Sequence, residues 1–202
     1  LEKKTLVGRD RDMLEIVHRN VSILLRLITQ ILDFQKYECG KLNLHLSEFN
    51  VFEGVKEWTK AFHVLAARKH IHFKVVAEGN VADYGMVADA EKMERIIYNL
   101  LSNAFKFTPE KGEIKVELYR KEQDSQNLLC LKVSDTGIGM SEEHAQHVFE
   151  RFYQIDMQHT GSGLGLALVE AFTRLHHGQV KVATEEGKGT SFLVCLLYTS
   201  PS

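Results

Sequence analysis

No apolar run in the 202 residues comes near the roughly 20 needed to cross a bilayer, and the opening Leu1-Glu2-Lys3-Lys4 leads into no signal-peptide core. Neither sign of charge dominates. The chain has 25 Lys and Arg against 27 Asp and Glu, a formal net charge of -2, so nothing draws phosphate backbones or anionic lipid. Direct nucleic-acid binding and membrane contact are therefore not expected of this stretch. The cysteines number only 3 (Cys39, Cys130 and Cys195), with no Cys-x-x-Cys pair and no Cys/His spacing of a zinc site, which suits a reduced compartment. Internal repeats and low-complexity tracts are missing as well. The chain also lacks an initial methionine and opens inside a polar, helix-like segment. That is expected of a piece of a longer protein whose membrane part lies elsewhere.

What is present suffices for a core: 44% of the residues are hydrophobic and 26% charged. Over residues 12–38 the apolar side chains Leu14, Val17, Val21, Leu24, Ile28 and Ile31 alternate three and four apart. This seam of heptad type predicts a long helix that wants helical partners, or else a core helix of a single domain. Cys39-Gly40 supplies a glycine stop, and Gly40 is the hinge candidate. A second helix is predicted from Val51, Val55, Trp58, Phe62 and Leu65 behind the capping candidates Ser47 and Asn50. Residues 70–76 read as a strand, 90–107 as a helix, 113–119 and 128–133 as strands, 164–176 as a helix, and 179–183 and 190–194 as two closing strands. This order predicts an α+β fold, a two-layer sandwich with helices on one face of the sheet.

Three segments carry candidate chemistry. On the helix ending Asn99-Leu100-Leu101-Ser102-Asn103-Ala104-Phe105-Lys106-Phe107-Thr108-Pro109, Asn99 and Asn103 project from one face, with Lys106 one turn on. An amide oxygen suits Mg²⁺, which shares its octahedral shell with water and substrate phosphates, and Lys106 could meet phosphate charge. Two such asparagines alone are more often surface or capping residues than metal ligands. Asp135-Thr136-Gly137-Ile138-Gly139-Met140 puts a carboxylate at a strand end and two glycines in the following turn, where a ligand can approach the backbone. An ionised Asp accepts only, so it could hold the exocyclic amino group of adenine; the alternative is an ordinary tight turn. Gly161-Ser162-Gly163-Leu164-Gly165-Leu166 opens a helix whose free amides and dipole face any anion above them. No P-loop and no Rossmann glycine turn is present, and Gly187-Lys188-Gly189-Thr190 reads as a hairpin turn.

In their order these segments resemble the ATP-binding fold shared by histidine kinases, type II topoisomerases, Hsp90-like chaperones and mismatch-repair ATPases. The resemblance spans about residues 48–194 and implies a Bergerat-type fold with a mixed sheet. By resemblance Asn103 would coordinate Mg²⁺ and Asn99 and Lys106 would lie near the phosphates. Phe107 would lie by the nucleotide and Asp135 would contact the adenine amino group. Gly137, Ile138 and Gly139 would wall the pocket, and Gly161, Gly163 and Gly165 would flank a lid. Leu164, Leu166 and Thr190 complete the implied ATP-binding set.

Phe149-Glu150-Arg151-Phe152-Tyr153-Gln154 is similar to the phenylalanine box of histidine kinases, although Phe149 and Phe152 could be plain core. Leu24-Leu25-Arg26-Leu27-Ile28, Ile31-Leu32-Asp33-Phe34 and Gly40-Lys41-Leu42 resemble the second helix of the kinase dimerisation stalk. The resemblance is thus to bacterial sensor histidine kinases of the hybrid two-component type. It implies a stalk-mediated homodimer, a response-regulator receiver domain as partner, and a cytoplasmic portion of an inner-membrane sensor. The implied domains are 1–45 (partial stalk), 46–194 (catalytic ATP-binding domain) and 195–202 (tail).

Two departures stand out. A kinase acceptor is a His followed at once by Glu or Asp, and none of the 10 histidines meets that pattern, so this chain is expected not to autophosphorylate. The tail Cys195-Leu196-Leu197-Tyr198-Thr199-Ser200-Pro201-Ser202 translates TGTCTCTTATACACATCTCCGAGC, which resembles a transposon-end sequencing adapter, and is expected to be foreign. Two other functions remain open: an ATP-hydrolysing clamp, for which Glu94 is the nearest water-activating acid, and a non-catalytic nucleotide sensor.

Overall fold

The structure, a computed structural model, describes residues 2–123, 125–155 and 162–198. Within it the chain divides into two compact units, residues 1–42 and 43–202. The first is one long helix, α1 (Glu2–Glu38). It stops where the glycine predicts: Gly40 takes φ 63°, its N–H bonds to the Tyr37 carbonyl at 3.0 Å, and the Lys41 N–H reaches back to Lys36 O at 2.8 Å. These bonds satisfy carbonyls that the helix end would otherwise leave unpaired. The seam residues Leu14, Val17, Val21, Leu24, Ile28 and Ile31 are all exposed, Leu14 at 69%.

The second unit starts with β1 (Ser47–Asn50), α2 (Val51–Trp58), α3 (Lys60–Lys69) and β2 (His72–Ala77). Asn50 caps α2, its Oδ1 accepting from Glu53 N at 3.1 Å, whereas Ser47 begins a strand. The single helix expected here is broken at Thr59. That hydroxyl donates to Val55 O at 2.8 Å and Lys56 O at 3.2 Å, competing with the ladder, and α3 starts afresh. A short 3-10 turn (Val81–Tyr84) leads to β3 (Gly85–Ala88), antiparallel to β1. Neither member of that pair is legible in the sequence, because four residues give too little alternation.

Then follow α4 (Ala90–Phe107), β4 (Glu113–Gln123), β5 (Gln126–Asp135), α5 (Glu142–His147), α6 (Gly165–Leu175), β6 (Gln179–Glu185) and β7 (Gly189–Leu197). Among the described residues, the larger sheet has the order β2-β4-β5-β7-β6 and is parallel only between β2 and β4. The expected α+β architecture with a mixed sheet is therefore observed. The helix-facing residues of the sheet, among them Ile114, Val116, Leu118, Leu131, Val133 and Val194, are buried with Ile96, Ile97, Leu100 and Leu101 of α4 and Leu168, Val169 and Phe172 of α6. At about 1.5–3 kcal/mol per fully buried large apolar side chain, this layer dominates the stability of the fold.

Strand β7 runs past Val194, the expected boundary, to Leu197. Leu196 enters the core at 1% exposure, and the Tyr198 hydroxyl donates to Gly85 O at 2.6 Å. Backbone pairing with β5 accepts any alternating apolar sequence, so Cys195-Leu196-Leu197 completes the strand whatever its origin. No helix among the described residues is long and apolar enough to cross a membrane.

Candidate nucleotide-binding site

The α4 helix begins at Asp89, whose carboxylate accepts from Lys92 N at 3.0 Å and His45 N at 2.8 Å. Burial alone would raise this carboxyl. Those two amides, with the charges of Lys92 and His176, outweigh it and hold it below the ordinary carboxylate value. From this cap the helix carries the asparagines inward. Asn99 is nearly buried beside the first residue of α6, where a Cβ on Gly165 would lie 3.2 Å from its Oδ1. Asn103, Lys106 and Phe107 are half-buried on the next turns. The Lys106 ammonium lies 4.8 Å above the Phe107 ring.

At the end of α4 the Phe107 carbonyl accepts from Ile138 N at 3.4 Å, joining the asparagine helix to the Asp135 turn. Asp135 ends β5 opposite Thr190 of β7, and its Oδ1 accepts from Gly137 N at 2.8 Å. Burial pushes its carboxyl above the ordinary value, while the amides of Gly137 and Thr190 pull it back. A carboxylate has about four lone-pair sites, so capacity remains for a further donor such as an amino group. The turn tolerates only glycine at two points. A Cβ on Gly137 would stand 2.7 Å from both Asp135 Oδ1 and the Phe107 carbonyl, and one on Gly139, at φ 64°, would run into the Glu185 carbonyl. Thr184 braces the same turn, its hydroxyl accepting from Met140 N at 3.0 Å and lying 3.0 Å from that of Thr190. Ile138 projects outward at 60% exposure.

The glycine-rich segment opens α6 next to Asn99. Leu164 is buried and precedes the helix as its N-cap without a side-chain capping bond of its own, and Leu166 is half-buried on the first turn. Gly163, at φ 67°, packs so closely on Phe152 that a Cβ would meet the Phe152 backbone at 2.6 Å, and Phe152 N donates to Gly163 O at 3.0 Å. Phe152 and Gly163 are thus held directly against each other. Gly161 lies outside the described residues. Of the phenylalanine box, Phe149 packs edge-on against Phe192 at 6.1 Å, while Phe152 is 67% exposed with φ 58°, a conformation that costs a bulky residue energy. Sequence reasoning missed Thr184, the Phe107 carbonyl and His176. The first two act through geometry without a motif.

The model of the histidine kinase-, DNA gyrase B- and HSP90-like ATPases matches residues 88–200, more than half of the chain. This chain belongs to that family. It carries the ATP-binding catalytic domain of the histidine-kinase branch. It is 37% identical over 194 residues to a hybrid signal transduction histidine kinase of Dictyostelium discoideum, covering 94% of this chain and 12% of that protein. It is 35% identical over 195 residues to the circadian input-output histidine kinase of Thermosynechococcus vestitus, covering 95% and 26%. Full-length ShkA crystallised with AMPPNP superposes with a TM-score of 0.74 at 26% identity, over 89% of this chain and 36% of that one. The chain thus spans only about an eighth to a quarter of the curated relatives' length.

Proposed function

We propose that this domain holds Mg·ATP and presents the γ-phosphate to a stalk histidine supplied from outside residues 1–202, for relay to the aspartate of a response-regulator receiver domain. The observation that carries this reading is the junction at the end of α4, where the Phe107 carbonyl meets Ile138 N. It ties the last turn of α4, which carries Lys106 and Phe107, to the turn that follows Asp135, and so supports one site drawing on both. Asp135 accepts the adenine amino group, with Gly137, Ile138, Gly139 and Thr190 around it. Asn99, Gly163, Leu164, Gly165 and Leu166 form the wall by the phosphates with the amides that open α6, and Gly161 belongs to the lid.

The donors suit a cation that shares its shell. The Asn103 amide would offer one neutral oxygen to a hard cation that shares its shell with phosphates and water. When bound, Mg²⁺ would supply positive charge that neutralises the charge developing in the transfer. Asn103 orients that ion, Lys106 adds positive charge, Asp135 fixes the base, and the closed glycine turns keep the nucleotide in one pose. The imidazole nitrogen attacks the γ-phosphorus, the bond to the β–γ bridging oxygen breaks, and ADP leaves.

We further propose that residues 1–45 are the second helix and linker of a homodimeric stalk, that 46–194 form the catalytic domain, and that the parent protein is an inner-membrane sensor with this domain on its cytoplasmic side. The name of one relative, the autoinducer 2 sensor kinase/phosphatase of Vibrio vulnificus, 32% identical over 178 residues, supports the sensor part of that reading. The tail 195–202 is proposed as foreign, and finding its codons in the source locus would refute that. A clamp-type ATPase gains no support from Glu94, which is exposed on the outer side of α4. The decisive experiment mixes the chain with a stalk that has its own acceptor helix and an inactivated ATP site. Acid-labile, base-stable label on the stalk histidine is expected. Steady release of free phosphate without label would favour the clamp.

A further inference from the structure

The last four carbonyls of any helix lack intrahelical partners, and three of those of α4 are satisfied by an unusual set. Ala104 O takes the N–H and hydroxyl of Thr108, at 2.9 and 2.6 Å. Phe107 O takes Ile138 N. Phe105 O takes the ammonium of Lys69, the final residue of α3, at 2.6 Å. The α4 end is therefore held in front by the Asp135 turn and from α3 by a charge-assisted bond. Charge-assisted bonds run about twice as strong as neutral ones, and a cation also complements a helix C-terminus.

Lys69 reaches out from a fixed point. Immediately after it His70 turns left-handed at φ 53°, and the amides of His70 and Ile71 return to the Ala67 and Ala66 carbonyls at 3.3 and 2.9 Å. Its target is fixed too, since the Phe105 ring stacks on Phe62 and meets Phe73 edge-on, both at 5.4 Å between centroids. Phe105 points away from the Asn103 face of the helix, so Lys69 grips α4 from the side remote from the candidate phosphates.

We propose that Lys69 is a positioning residue of the nucleotide site, fixing the last turn of α4 so that Lys106 and Phe107 meet the triphosphate. This rests on the reading that the Asn103 and Lys106 face holds Mg·ATP. Losing the bond loosens the turn that carries Lys106, while the Asp135 turn keeps its own braces at Thr184 and against the Glu185 carbonyl. The effect should therefore fall on the phosphate part of binding and spare the adenosine part.

The test uses the whole chain with Lys69→Met, which keeps an unbranched stem, and Lys69→Arg, which keeps a donor. Two quantities are read: hydrogen exchange of the amides of residues 105–109 without ligand, and affinities for Mg·ATP and for adenosine. Lys69→Met should exchange faster at 105–109 and bind Mg·ATP about tenfold more weakly, with adenosine affinity within about twofold of wild type. Lys69→Arg should restore most of both. Unchanged exchange in Lys69→Met, or equal losses of Mg·ATP and adenosine, overturns the assignment while leaving the nucleotide site standing. Wild-type protein that binds adenosine but gains nothing from Mg²⁺ and phosphates overturns the site reading and this proposal with it.

Discussion

Asp135 works against its own surroundings. Burial raises its carboxyl, so its proton affinity favours folding below the ordinary carboxylate range, and that contribution is lost as pH rises through the elevated folded value. At neutral pH the ionised form is a cost to the unliganded domain, one that a bound amino donor relieves. Adenosine affinity in the wild type should therefore fall as pH drops through the elevated Asp135 value. Asp135→Asn should bind weakly and without that slope, because an amide replaces one acceptor with a donor. Equal slopes in the two proteins, measured by calorimetry, would show that Asp135 does not contact the base. Asn103→Ala removes a single neutral oxygen. Mg·ATP affinity should drop at least tenfold while adenosine affinity holds, and an unchanged Mg²⁺ dependence would remove Asn103 from the metal shell.

Between elements, the two helices that wall the site are clamped at their far ends by His176. Its Nδ1 faces the Phe172 carbonyl at 2.8 Å, so it carries the proton, and its Nε2 accepts from Asp89 N at 3.1 Å. The end of α6 is thereby tied to the cap of α4. Burial depresses the His176 pKa despite the nearby Phe172 carbonyl and Asp89. The unfolded chain binds the proton first, so the stability His176 contributes is present above about pH 6.5 and is lost as pH falls below it. Asp89, held low, keeps its contribution above about pH 3.9 and so titrates in a separate window. Melting temperature should decline from about pH 7 to about 5 in the wild type, and less in His176→Leu, which should start lower by about 1–3 kcal/mol for two orphaned backbone groups. A parallel decline in both proteins would assign the acid sensitivity elsewhere.

For the whole molecule, the exposed α1 stripe and the missing acceptor decide behaviour together. A helix that leaves Leu14, Val17, Val21, Leu24, Ile28 and Ile31 in water needs helical partners to bury them. A version extended by an upstream acceptor helix should dimerise at concentrations where residues 1–202 sediment as monomer. A tight dimer of residues 1–202 at low concentration would contradict this. With ATP and Mg²⁺ the chain alone should take up no label, since no histidine is followed by an acid; label on the chain would reveal an acceptor of another type.

Much of this was already fixed by local order. The 18-residue helix α4 falls at the bounds its pattern implies, Gly137, Gly139 and Gly163 sit where a Cβ would clash, and Gly40 takes the left-handed turn that ends α1. Such features depend on neighbours in sequence, so a pattern of residues can record them. The break at Thr59 and the β1–β3 pair depend on contacts between distant segments, and no local pattern carries those. The same holds for the site. Which residues can offer an oxygen to a metal or accept from an amino group is a property of side chains, and the roles proposed for Asn103 and Asp135 were read from that. That the Phe107 carbonyl meets Ile138 N, that His176 bridges two helices and that Lys69 grips the back of α4 was decided only by folding. Unpaired backbone groups take whichever donors packing brings within reach.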